Sequence, residues 1–243
     1  MGRFARICLL AVPILTLGNL ALAGPPVLGP IWQAKLLPDG TTVALWGVVM
    51  YAGPDYFYVT QEDGVCGIRI EGEGSFLAYG DNVDLIGIIA TNAEKERCVT
   101  SAAVTVTSMG IPPRSCYMKN SLLAGGICGG QEALWYWQWV IEEGQPPHQE
   151  WLPGVGISTV GLHIKTSGRV TDVDPYGQYF YIDDGSGLMN HAKAPVGVWV
   201  ECSDMPPPDV GSWVVVSGAC SCYRDEETGD PLPRILVDDI MMQ

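Results

Sequence analysis

Basic residues are scarce in this sequence, where 13 lysines and arginines stand against 27 acidic residues and leave a formal net charge of −14 at pH 7. Proteins bind nucleic-acid backbones mainly by neutralising phosphates with lysine and arginine. Charge therefore disfavours nucleic acid as a partner, unless a local surface overrides the overall field. The arginines form no basic stripe and are dispersed along the chain, as Arg69, Arg97, Arg169, Arg224 and Arg234.

Sequence signatures of enzymes are missing as well. The chain has no P-loop, no dinucleotide-binding fingerprint and no G-x-S-x-G nucleophile motif. Its three histidines, His148, His163 and His191, belong to no recognised nucleophile motif. We therefore expect a protein that is not an enzyme and that needs no cofactor.

The N-terminus has the pattern of an export signal. Arg3 and Arg6 give a positive start, an apolar run covers 7–17, and a small-x-small cleavage site follows at 21–23. Removal of residues 1–23 would change the net charge from −14 to −16, because two arginines and no acids are lost. No later segment is long and apolar enough to span a bilayer. We expect a secreted, periplasmic or cell-surface protein.

Seven of the eight cysteines follow the predicted leader. An exported chain can keep disulfides, whereas the lack of C-x-x-C spacing and of paired histidines argues against a metal site. An odd number leaves at least one thiol unpaired, and we expect it to be Cys220. The expected strand ends and one short loop predict three disulfides: Cys202 with Cys222, Cys116 with Cys128, and Cys66 with Cys98.

The sequence contains an internal repeat. The run Tyr56-Phe57-Tyr58-Val59 returns as Tyr179-Phe180-Tyr181-Ile182, and each run leads into an acidic turn that contains glycine. A Gly-x-Val segment precedes each run, and alternating apolar segments follow it. Five short strands per copy, with turn signals roughly every 8–12 residues, are typical of an all-β domain. Closure into a small barrel is the simplest way to avoid exposed edges.

The order of these motifs resembles the tandem OB-fold domains of exported bacterial proteins, most of which have no assigned activity. Copy two is the nearer match, with G-R-V-T at 168–171 and Y-F-Y-I-D-D-G-S-G at 179–187. The segment at 32–40 also resembles the lead-in of such domains. The resemblance implies an all-β protein of two five-stranded OB-like Greek-key barrels. It implies no catalytic residues, since a fold does not specify a function.

The chain is expected to divide into five parts. These are a signal peptide at 1–23, a lead-in at 24–39, a first barrel at 40–109, a connector at 110–156 and a second barrel at 157–243.

The connector is rich in tryptophan. Trp135, Trp137 and Trp139 alternate as on one face of a strand, although Leu134, Trp137 and Ile141 also fit one face of a helix. So much aromatic surface is expected to be buried. We therefore expect the connector to pack between the barrels in one rigid unit.

Four acidic residues near the second tyrosine run leave two interpretations open. Carboxylates such as Asp172, Asp174, Asp183 and Asp184 can hold a divalent cation, as in a cation-dependent hydrolase. The same residues favour tight turns, and copy one keeps a turn at 61–64 without keeping the ligands. Turns are the favoured interpretation.

Strand alternation predicts a candidate binding face on the second and third strands of each barrel, where OB folds bind their ligands. Aromatic rings there can stack on bases or sugars, although tyrosine is also simply a good strand former. We expect a non-enzymatic binding or scaffold protein with a protein or carbohydrate partner, and a nucleic-acid-binding protein is the alternative. The candidate residues are Tyr56, Tyr58 and Arg69 in copy one, and Tyr179, Tyr181 and Trp199 in copy two.

Overall fold

The structure is a computed structural model whose described residues are 25–111, 114–190, 195–202 and 205–242. The predicted leader lies outside these ranges. The regular secondary structure of the described chain is β, apart from one helical turn, α1 (Ile31–Ala34), and one 3₁₀ turn (Asn120–Leu122). Within the same ranges, no helix has the length and hydrophobicity needed to cross a membrane.

The first barrel closes through five strands. A short strand, β1 (Val27–Leu28), precedes them and pairs in parallel with the first of the five. The five are β2 (Thr42–Ala52), β3 (Tyr56–Thr60), β4 (Gly67–Glu71), β5 (Asp81–Thr91) and β6 (Arg97–Met109). The circuit runs β2-β3-β4-β6-β5 and returns to β2. Only the β4–β6 pair of this circuit is parallel.

The connector contributes three short strands, β7 (Cys116–Tyr117), β8 (Trp135–Val140) and β9 (His148–Pro153). The second barrel then repeats the first with β10 (His163–Val173), β11 (Tyr179–Asp183), β12 (Val198–Glu201), β13 (Trp213–Arg224) and β14 (Pro231–Met242). Its circuit is β10-β11-β12-β14-β13, and again only one pair, β12–β14, is parallel. Both barrels are five-stranded and OB-like, so the predicted fold class is confirmed.

The repeated Gly-x-Val segment has a steric cause. A Cβ on Gly47 would lie 2.4 Å from the carbonyl oxygen of Thr60, and one on Gly168 would lie 2.8 Å from the carbonyl carbon of Asp183. Each glycine therefore allows the first strand to lie against the second. A register shift follows within a few residues in both copies, and such bulges bend a strand around a small barrel.

Alternation along the tyrosine runs has the predicted parity. Phe57 and Val59 lie in the core of the first barrel, and Phe180 and Ile182 lie in the core of the second. All four are at most 1% exposed. The intervening tyrosines therefore lie on the outer faces of the barrels.

The two barrels meet at a buried polar cluster. The Tyr58 hydroxyl donates a 2.6 Å hydrogen bond to Glu96 and lies 2.8 Å from the hydroxyl of Ser221, which belongs to the second barrel. Ser221 in turn donates to the other oxygen of Glu96 at 3.2 Å. Tyr58, Glu96 and Ser221 have no exposed surface. Burial raises the pKa of the Glu96 carboxyl above its ordinary value, although Arg69 partly offsets this.

Further contacts extend this interface. The buried Lys35 ammonium donates a 2.9 Å hydrogen bond to the carbonyl of Val160. Gly67 and Gly161 touch so closely that a Cβ on Gly67 would lie 1.7 Å from the Gly161 carbonyl oxygen. An apolar cluster of Met50, Tyr58, Ala219 and Leu236 fills the space beside them. The barrels therefore form one packed unit.

The connector forms a β-hairpin that lies against the second barrel. Backbone hydrogen bonds join Trp137 and Met189 in both directions, at 2.8 and 3.0 Å. The indole of Trp151 donates to Asp230 at 3.1 Å, and its ring stacks on that of Trp135. The tryptophan segment is thus a strand, and its predicted burial is partial, because Trp139 remains 51% exposed.

A shorter part of the connector contacts the first barrel. The Gly130 amide donates to the carbonyl of Lys35 at 2.8 Å, and the Arg97 amide donates to the side chain of Gln131 at 2.8 Å. The connector therefore contacts both barrels.

The three predicted disulfides are not formed, since all seven cysteines of the described chain have free thiols. Cys202 and Cys222 were expected on adjacent strands, but β14 lies between β12 and β13 and separates them. Cys66 lies three residues before Arg69, the residue that pairs with Cys98. At about 3.3 Å per strand residue, the three-residue offset puts the Cα atoms of Cys66 and Cys98 beyond the ~7 Å limit for a disulfide. The intervening strand puts Cys202 and Cys222 beyond the same limit, since neighbouring strands are about 4.8 Å apart.

The third predicted pair fails because its members have other neighbours. Cys116 pairs with Ile164 at the edge of the second barrel. Cys128 instead lies close enough to Cys66 of the first barrel to help raise the pKa of that thiol, after burial as the main cause. Two thiols that were assigned to different pairs are therefore neighbours.

The hydroxyl of Tyr58 should be essential to the barrel interface. Tyr58→Phe leaves buried oxygens of Glu96 and Ser221 without their partner, and hydrogen bonds to charged groups contribute about 1.5–3 kcal/mol. We expect the free energy of unfolding in urea to fall by about that amount. The matched control is Tyr117→Phe, because Tyr117 is 78% exposed; an equal loss in the control would contradict the assignment.

Oxidation should join Cys66 to Cys128 rather than form any of the three pairs expected from sequence. Their thiols are close enough to influence each other's ionisation, whereas the members of the other pairs have different neighbours. Peptide mapping of air-oxidised protein without reductant should recover a Cys66–Cys128 peptide. Recovery of a Cys202–Cys222 peptide from folded protein would contradict the strand order described above.

Candidate ligand-binding face

The aromatic face of the second barrel consists of Tyr179, Tyr181, Trp199 and Tyr223. Tyr181 pairs directly with Trp199 across β11 and β12, and Tyr179 lies on the same face because it stands two positions before Tyr181. The Tyr179 and Trp199 ring centroids are 4.5 Å apart. Tyr223 reaches the same cluster from β13, with its centroid 4.5 Å from Trp199.

Exposure differs along this aromatic face. Tyr181 is 7% exposed and forms the buried side of the cluster. Tyr179 and Trp199 are half-buried and present ring surface to solvent. Asn190 fixes the position of Tyr223 by donating to its hydroxyl at 3.1 Å and to the carbonyl of Pro233 at 2.9 Å. The rings are therefore held in place before any ligand arrives.

The electrostatic surroundings of the aromatic face are acidic. Burial raises the pKa of Tyr179, and the carboxylates of Asp174 and Asp172 raise it further. Burial likewise raises the pKa of Tyr181 to about 12. Both phenols are therefore neutral at physiological pH and can donate and accept hydrogen bonds.

The nearest arginine is already paired. Arg234 lies beside Trp199 in the strand register, and it donates to Glu201 at 3.0 Å and to the Ser221 hydroxyl at 3.3 Å. In the described chain, the cations found over aromatic rings are Arg69 at Tyr56 and Lys165 at Tyr117. The aromatic face thus combines open rings with carboxylates and a neutralised arginine.

The corresponding face of the first barrel is not available to a ligand, which corrects the expectation for this half of the site. Tyr58 is wholly buried against Ser221 of the second barrel. Arg69 is 9% exposed and forms ion pairs with Glu71 at 2.9 Å and with Glu96 at 3.6 Å. Tyr56 is half-buried beneath Arg69, whose guanidinium lies 3.7 Å from the ring centroid. These three residues hold the barrels together.

The acidic residues near β11 form turns. Asp174 accepts hydrogen bonds from the amides of Tyr176 and Gln178, both at 3.1 Å. Asp183 accepts from the Gly187 amide at 3.1 Å and Asp184 from the Ser186 amide at 3.0 Å. Since backbone amides occupy these carboxylates, the local geometry supports the turn interpretation. The described ranges contain no cluster of three or more metal-ligating side chains.

Sequence reasoning missed Tyr223 and Asn190. Neither belongs to the repeated motif: Asn190 lies in the loop after β11 and Tyr223 lies on β13, so no motif signal identified them. The predicted cluster of Tyr179, Tyr181 and Trp199 is brought together as expected.

No family model matches this sequence, and no curated protein does either. Among solved structures, the chain is similar to a murine DNA-binding protein bound to double-stranded DNA, with 11% identity, a TM-score of 0.37, and coverage of 82% of this chain and 97% of that one. It is also similar to the Ifi202 HINa domain in complex with 20 bp of double-stranded DNA, with 10% identity, a TM-score of 0.36, and coverage of 85% and 97%. At that level of similarity, what those proteins bind carries no information about the ligand of this chain.

Proposed function

We propose that the protein binds an uncharged carbohydrate on the aromatic face of its second barrel. The observation that supports this most is the preformed cluster of Tyr179, Trp199 and Tyr223, with 4.5 Å between neighbouring ring centroids. Tyr179 and Trp199 lie on the second and third strands of an OB-like barrel, the face through which such folds bind oligosaccharides and oligonucleotides, and Tyr223 joins them from the fourth strand.

The charges around the face favour a neutral ligand. Asp172 and Asp174 lie close enough to Tyr179 to raise its pKa, and Glu201 lies beside the same ring in the strand register. A sugar ring can stack on these aromatic side chains and use carboxylates as hydrogen-bond acceptors. A phosphate would be repelled by the same carboxylates, and the adjacent Arg234 is already bound to Glu201.

Nucleic acid is the second candidate, because base stacking on aromatic rings is independent of charge and contributes about 1–3 kcal/mol per base. The non-specific affinity of ordinary nucleic-acid-binding proteins, with dissociation constants of about 10⁻⁴–10⁻⁶ M, depends on lysine and arginine neutralising phosphates. Two or three stacked bases offer too little to offset missing cations on a chain with net charge −14.

We further propose that the protein is exported. Support comes from the sequence pattern at 1–23, with its positive start, apolar run and small-x-small site. Expression of the whole chain in a bacterial host should yield a mature protein whose N-terminal residue is Gly24, as read by Edman sequencing or intact mass. A protein that retains residues 1–23 in the cytoplasm would contradict export.

Carbohydrate binding can be tested by calorimetry with neutral oligosaccharides of glucose and of N-acetylglucosamine. Wild-type protein should bind at least one of these series, and Tyr179→Ala should weaken binding roughly tenfold, which corresponds to about 1.4 kcal/mol for a lost stacking ring. Tyr117→Ala is the matched control, since that exposed tyrosine lies outside the aromatic face.

A labelled single-stranded DNA, measured by fluorescence anisotropy at low salt, separates the two candidates. We expect no micromolar binding. Micromolar binding that is lost in Tyr179→Ala, together with no response to either sugar series, would reject the carbohydrate proposal in favour of nucleic acid.

A further inference from the structure

A second site lies away from the aromatic face, in a cleft between the barrels with a volume of about 680 Å³. One wall comes from the first barrel and is largely apolar, with Met50, Leu77 and Tyr79. A second, polar wall comes from the connector and the second barrel, with Ser115, His163, Ser217, Asp238 and Asp239. The cleft therefore offers a small molecule both apolar surface and hydrogen-bonding groups.

Three residues of the polar wall form a hydrogen-bonded chain. The hydroxyl of Ser115 lies 2.8 Å from Nδ1 of His163, and Nε2 of the same ring lies 2.7 Å from a carboxylate oxygen of Asp238. The other oxygen of Asp238 accepts a 3.0 Å hydrogen bond from Ser217. His163 is 6% exposed, and the ring of Tyr79 lies against it at a centroid distance of 5.5 Å.

This arrangement decides which imidazole nitrogen carries the proton in neutral His163. A carboxylate accepts hydrogen bonds, so Asp238 holds the proton on Nε2. Nδ1 then has a free lone pair, and it faces the hydroxyl of Ser115. A serine whose hydroxyl donates to a base that a third group orients has the geometry of an activated nucleophile. The two ring nitrogens have exchanged the roles they play in serine proteases, but the order of the three groups is the same.

We propose that Ser115 is a nucleophile that accepts the acyl group of a small carboxylic ester bound in this cleft. The Ser115 oxygen forms a bond to the ester carbonyl carbon and gives its proton to Nδ1 of His163. The ester C–O bond breaks, and the alcohol leaves with that proton. Water attacks the acyl-serine by the same route and releases the acid, which restores Ser115 and balances the reaction as ester hydrolysis.

This activity goes beyond the proposed carbohydrate binding and is independent of it, because the two sites share no residue. It also explains why the sequence predicts no enzyme. Ser115 and His163 are 48 positions apart, and His163 and Asp238 are 75 positions apart, so no linear motif joins them.

A fluorophosphonate probe tests the nucleophile directly, since the serine oxygen bonds to phosphorus as fluoride leaves. Wild-type protein should be labelled at Ser115, as identified by peptide mass spectrometry, and Ser115→Ala should abolish that label. Ser75→Ala is the matched control at an exposed serine. His163→Gln should slow labelling roughly 100-fold, in line with the usual contribution of a general base.

Failure to label Ser115, while a known serine hydrolase reacts in the same tube, would overturn the proposal. Labelling of Ser115 at an unchanged rate in His163→Gln would also overturn it, because the serine would then need no base. Unchanged thermal unfolding of each variant shows that the protein is still folded when the rates are compared.

Asp238 is a positioning residue, and NMR can test its role without any substrate. With three histidines in the chain, the ¹⁵N shifts of the His163 ring can be assigned by substitution. Wild-type protein should show the proton on Nε2, and Asp238→Asn, whose amide can donate, should move it to Nδ1 and slow labelling by the probe. A proton on Nδ1 in the wild type would contradict the inferred nucleophile.

Discussion

The structure depends on one buried carboxylate, that of Glu96, where the two barrels meet. It has no exposed surface and accepts hydrogen bonds from Tyr58 in its own barrel and from Ser221 in the other. Arg69 lies 3.6 Å away and supplies the compensating charge. A buried charge that loses its partners is strongly destabilising, so the barrels are held in a single arrangement in which each barrel satisfies polar groups of the other.

Because of that arrangement, the tyrosine faces of the two similar barrels have different surroundings. Both barrels carry a Tyr-Phe-Tyr strand with its tyrosines outward, but the second barrel covers Tyr58, whereas Tyr179 stays accessible. The same packing creates the cleft in which Ser115, His163 and Asp238 meet. Two copies that share the same sequence motifs thus give a tyrosine face buried between the barrels, an open aromatic face and a polar cleft.

Features that depend on local sequence were predictable, and those that depend on how the barrels pack were not. The glycines, the alternation around Phe57 and Phe180, and the aspartate turns all follow from short-range sterics and hydrogen bonding. The burial of Tyr58 depends on Ser221, which is 163 positions away. The predicted Cys202–Cys222 disulfide was wrong for a similar reason. Strand β14 lies between β12 and β13, and this strand order cannot be inferred from the spacing of the two cysteines.

One tyrosine face is covered by the neighbouring barrel, while its counterpart remains open. Nitration by tetranitromethane, mapped residue by residue with mass spectrometry under native conditions, tests it directly, with the 88% exposed Tyr176 as internal reference. We expect Tyr179 to be modified and Tyr58 to be protected until the protein unfolds. Equal modification of Tyr58 and Tyr179 in folded protein would contradict it.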